Sequence, residues 1–90
     1  MKTVKSLTVR GRRWRVVDSE KHKGPELGYC THPEFGKELA IPIDGDTESE
    51  LDTIIHECIH ACHWDMAEEA VEETAASIAH VLWRLGWRKD

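Results

Sequence analysis

The segment LDTIIHECIHACHWD, Leu51 to Asp65, constrains the fold of this chain more than any other. Leu51, Ile54, Ile55, Cys58, Ile59 and Cys62 recur at helical spacing and define a face that must be buried. Thr47 with Glu50 three residues on has the form of a capping box. It follows IPIDGD, whose proline and glycine keep that stretch from being helical throughout, so a helix is expected to start near residue 48. Beside the apolar stripe the same helix carries HECIH, that is His56, Glu57 and His60. Residues four apart on an α-helix differ by about 40° of rotation and about 6 Å of rise, so the two imidazoles can converge on one ion while Glu57 points to the side.

Zinc chemistry accounts for these residue types. Neutral imidazole nitrogens bind Zn²⁺ at about 2.0–2.1 Å, and a catalytic zinc uses three protein ligands and keeps a position for water. The pKa of that water falls towards about 7, and a nearby carboxylate can take its proton. Glu57 is therefore read as the general base and not as a ligand. HExxH recurs by chance in His-rich and Glu-rich chains, so the cap, the apolar stripe and the next helix carry the weight of the reading.

A second helix is expected after His63. Asp65 and Glu68 have cap spacing, and Val71, Ala75, Ile78, Leu82 and Leu85 form one stripe that Gly86 ends. Glu68 and Glu72 fall on the margin of that stripe, whereas Glu69 and Glu73 point away. A carboxylate turned towards a core needs a partner, and Ala75 and Ala76, one turn after Glu72, would let two helices approach closely. Glu72 is the expected third zinc ligand. Glu68 is the first alternative, although its place in the first turn also fits simple capping, and His63, seven residues after His56, is the second. Cys62 could ligate but reads better as a small buried residue. His80 on the outer helix face, and His22 and His32 in loops, read as solvated; Trp83 and Trp87 read as core anchors.

The N-terminal half is β-rich. TVKSLTV (residues 3 to 9) and RWRVVD (13 to 18) suggest a hairpin turning near residues 10 to 12; SEKHKGPE is a loop. A third strand is expected over Leu27 to Thr31 and a fourth over Lys37 to Ile43, with HPEFG between them and Pro42 at a strand edge. An exposed edge strand there could hold an extended substrate. Residues 1 to 23 hold eight Lys or Arg and two acids, net +6, while the remainder holds four and fifteen, net −11. RGRRWR could touch nucleic-acid phosphates, but Arg12, Arg13 and Arg15 alternating about Trp14 and Val16 read better as the solvent face of a strand. No apolar run approaches the roughly 18 residues of a membrane span, and no signal-peptide core is evident. With three cysteines expected as reduced thiols, the reading is a soluble cytoplasmic protein without membrane contact.

HECIHA, the acidic DMAEEAVEETA and the closing LWRLGWR resemble a group of small phage-encoded and prophage-encoded zincin-like metallopeptidases, over roughly residues 50 to 88. More broadly the layout is similar to minimal gluzincins of the ImmA/IrrE type and to SprT-like proteins. The resemblance implies zinc on His56 and His60, Glu57 as base, a Glu of the following helix (Glu72 here) as third ligand, and a cytoplasmic setting that extends to a phage-infected host cell. The chain departs from that pattern in having no Tyr or His after the second helix to stabilise an oxyanion; its one tyrosine is Tyr29.

The expected architecture is a single α+β domain over residues 1–90, with N-terminal antiparallel strands (1–46) packed on an HExxH helix (47–64) and a second helix (65–88). The expected function is zinc-dependent hydrolysis of a peptide or protein substrate. The alternatives are a non-catalytic, zinc-stabilised module contacting protein or nucleic acid through the basic strands, and a hydrolase of a non-peptide amide.

Overall fold

Alternating inward and outward side chains set the second strand, and the first pairs along it. In a computed structural model, which describes residues 4–21 and 28–88, strand β1 (Ser6–Val9) pairs antiparallel with β2 (Arg12–Asp18), Leu7 facing Trp14 in the register. Arg10 and Gly11 between them both take positive φ, 49° and 76°, the two-residue turn whose twist matches that of the flanking strands. On β2, Trp14 and Val16 are buried while Arg13 and Arg15 are exposed, as the alternation predicts.

Strand β4 (Glu38–Ile41) is the most apolar of the four, and Leu39, Ala40 and Ile41 are all buried. It takes a central place in the sheet order β1-β2-β4-β3, with β3 (Tyr29–Cys30) at the edge. The expected α+β fold is present, with antiparallel pairing in β1–β2 and β3–β4; the one departure is that β4 runs parallel to β2, in the register Val16 to Leu39. A strand buried on both faces belongs inside a sheet. It lies between β2 and β3, and because it is the antiparallel partner of β3, which runs against β2, it runs with β2. The expected edge placement of Pro42 changes accordingly. Pro42 follows the last residue of β4, where its carbonyl accepts from the Gly45 amide and the strand ends. The expected loop around Gly24 and Pro25, with His22 and Leu27, lies outside the described residues.

Helix α1 (Glu48–Cys62) begins where the capping box places it: the Thr47 hydroxyl accepts from the Glu50 amide at 3.1 Å and donates to Glu50 Oε1 at 2.9 Å. The same carboxylate accepts from the Asp46 amide. At the other end Arg10 donates to the Cys62 carbonyl at 2.7 Å, tying the hairpin turn to the negative pole of the helix. Trp14, Val16, Leu39, Ile41 and Ala61 form the core between sheet and α1, with Ile54, Cys58 and Cys30 packed against it.

Helix α2 (Glu68–Arg84) packs on α1, and Val71, Ala75 and Ala79 are its buried residues. Two details of the expected second helix are corrected. Its N-cap is Ala67, with no side-chain cap bond, so Asp65 is not the cap. Its contact line follows 71, 75 and 79; Ile78 and Leu85 are exposed, and so is Trp87. Alanines at 75 and 79 allow the close approach that larger side chains at 78 and 85 would prevent. Gly86, at φ 93°, ends the helix, and the Trp87 amide donates to the Leu82 carbonyl. The pairs His80 with Glu48 and His60 with Glu68 lie at opposite ends of the two helices, twelve residues apart on each, so the helices run antiparallel.

Candidate metal centre

The turn from α1 into α2 brings together three side chains able to ligate a metal. His56 Nε2 and His60 Nε2 lie 3.2 Å apart, Glu68 Oε1 lies 3.0 Å from His56 Nε2, and Glu68 Oε2 lies 3.1 Å from His60 Nε2. Bonds of about 2.0–2.1 Å at tetrahedral angles put ligand atoms about 3.3 Å apart; the spacing between the two imidazole nitrogens, and that from each nitrogen to its own Glu68 oxygen, are close to this value. Among the described residues these three side chains are the group able to hold a metal ion. Two imidazole nitrogens and a carboxylate suit zinc, and they also suit other divalent first-row ions.

The structure brings Glu68, not Glu72, against the imidazoles. The antiparallel register explains this: Glu68 begins α2 directly across from His60, and its long side chain spans both imidazoles one turn apart. Glu72 is exposed one turn further on, where it lines a neighbouring cleft of about 410 Å³ with His56, Glu57, Asp52 and Gly28. His63 is the C-cap of α1, exposed, and lines a different cleft with Arg10, Arg12 and His32. His80 pairs with Glu48 on the outer side of the helix pair at 3.5 Å.

Glu57 borders the three donors in a cleft of about 550 Å³ whose walls include Tyr29, Cys30, Trp64 and Met66. Burial raises its carboxyl pKa above the ordinary 4.5; the charges of His56 and His60 act the other way, and Glu68 adds to the rise. Burial also raises Cys58, and pushes the Cys30 thiol up to about 12, with the charges of Glu57, Cys58 and Cys62 contributing. Gly28 is what lets the chain cross so close: a Cβ there would meet the Ala40 carbonyl oxygen at 2.7 Å and the Glu57 side chain at 3.4 Å.

Two wall residues, Tyr29 and Trp64, carry no expected role in the sequence reading. The Tyr29 hydroxyl donates to Glu38, which also pairs with Arg15 across the sheet. Trp64 lies just past the end of α1, four residues after His60, and its ring lies 6.0 Å from that of His60 and 5.1 Å from that of His32. Compared with protein families, curated proteins and solved structures, the chain matches none. The site therefore rests on its own geometry.

Proposed function

We propose that this chain is a zinc-dependent metallopeptidase, with His56, His60 and Glu68 as the metal ligands and Glu57 as the general base. The observation that carries the proposal is the cluster of two imidazoles and a carboxylate on the wall of an open cleft, beside a second carboxylate, Glu57, that is not part of it. A zinc ion held there would supply Lewis acidity, lowering the pKa of coordinated water towards about 7 and polarising a substrate carbonyl. Glu57 has the complementary task. Its raised proton affinity favours taking a proton from the attacking water and then passing it to the leaving amine. Gly28, Tyr29 and Cys30, at and beside the edge strand β3, line the same cleft, so an extended peptide can lie along that edge by backbone pairing.

The test is cleavage of an unfolded protein by purified chain loaded with zinc. Glu57→Gln should retain stoichiometric zinc by elemental analysis and lose about 10²–10⁴-fold in rate, the usual contribution of a general base. His60→Ala should lose both metal and activity. Undiminished turnover in Glu57→Gln would remove the base assignment, and zinc-loaded chain inert towards every peptide substrate would leave the centre as a structural one.

A further inference from the structure

The apolar surface of α2 is wider than its neighbour α1 covers. Val71, Ala75 and Ala79 are buried, but Ile78, Val81 and Leu85 are 42%, 55% and 72% exposed. Their spacings of three and four place them on one stripe, with Thr74 a turn earlier, directly beside the buried line. Glu73 and Arg84 flank the stripe on its open side. They belong to opposite halves of a helix that is acidic at its start (Glu68, Glu69, Glu72, Glu73) and basic at its end (Arg84, followed by Arg88). A helix laid on this stripe must therefore offer apolar side chains three and four apart, a base opposite Glu73 and an acid opposite Arg84.

Helix α2 itself, running the other way, meets those conditions. We infer that the chain forms a two-fold symmetric dimer by antiparallel packing of α2 on α2 of a second copy. With the dyad between Ile78 and Val81, Ile78 of one copy meets Val81 of the other, Leu85 meets Thr74, and Glu73 comes within reach of Arg84 on the same flank. In a parallel pairing the dyad would send Glu73 and Arg84 of the second copy to the opposite flank, and Glu73 would lie about eleven residues along the helix from any Arg84, so the ion pairs would not form. The surface lies away from the α1 face that carries His56 and His60, so association and metal binding are separable.

Sedimentation equilibrium of the full chain from micromolar to submillimolar concentration tests this, with the expected mass rising from 10.3 kDa to twice that value. Val81→Asp, at an exposed position that leaves the circular dichroism unchanged, should raise the dissociation constant about tenfold or more. Glu73→Arg alone should weaken the dimer, and Glu73→Arg combined with Arg84→Glu should restore it, because the swap preserves opposite charges across the dyad. A single-chain mass at every concentration, or a dimer indifferent to Val81→Asp, would overturn the inference; a charge swap that fails to recover association would overturn the antiparallel arrangement.

Discussion

Which carboxylate completes the centre depends on reach. Glu68 touches both imidazoles, and Glu72 stands one turn away in the adjoining cleft. Removing an outer partner of a metal ligand costs about 10–100-fold in affinity, and removing a ligand costs more. Glu68→Ala should therefore weaken zinc binding by more than about a hundredfold, and Glu72→Ala by less than that, as read by competition with a chromophoric chelator. The reverse order would return the third position to Glu72. Glu57 offers an independent check in metal-free protein. Its folded-state pKa is raised, so the stability tied to its proton is complete below the unfolded value of about 4.5 and declines as pH rises through the folded value. Glu57→Gln lacks that decline. Urea denaturation should show the variant gaining on the parent as pH rises above the ordinary 4.5 and through the raised folded value, and drawing level below 4.5; a constant difference would mean that burial does not perturb this carboxyl.

At the level of elements, what the sequence made legible follows from how local each determinant is. The start of α1 could be read because Thr47 and Glu50 bond to each other within one turn. That cap also makes a prediction: Thr47→Ala should cost about 1 kcal/mol in chemical denaturation, since an orphan helix amide loses its acceptor, and an unchanged midpoint would show that Glu50 suffices alone. The hairpin and the end of α2 at Gly86 were legible for the same reason, through φ requirements at single positions. The parallel pairing of β2 with β4 was not, because nothing near Val16 announces Leu39 as its neighbour; the burial of both faces of ELAI marks a central strand but not its direction. The contact line of α2 was equally hidden. A stripe through 71, 75, 78, 82 and 85 and one through 71, 75 and 79 overlap on a helical wheel, and the choice falls to how closely α1 approaches the alanines. The same approach delivers Glu68 to His56 and His60, so the third donor had to be read from tertiary register, whereas the two histidines could be read from spacing.

For the molecule as a whole, the core is thin. A domain of this length buries roughly 60–65% of its unfolded surface, and the largest fully buried side chains are Trp14, Leu39 and Val71. Trp14 also buries its Nε1 with no hydrogen-bond partner among the described residues, which subtracts from what its packing contributes. On the proposed function, a metal ion would make up the difference, since held by His56, His60 and Glu68 it would clamp the turn that joins α1 to α2. Ligand that binds only the folded chain adds about 1.4 kcal/mol for each tenfold excess of free metal over its dissociation constant. In a domain of this size 1 kcal/mol moves the melting temperature by about 4–8 °C, so each tenfold step in free zinc should raise it by about 5–10 °C once the centre is saturated. Chelation should bring the melting temperature down to a value that zinc no longer affects in His60→Ala. If calorimetry of the parent chain shows the same transition with excess zinc and with excess chelator, then His56, His60 and Glu68 are held together by the contacts of the two imidazoles with the carboxylate and no ion contributes to this fold.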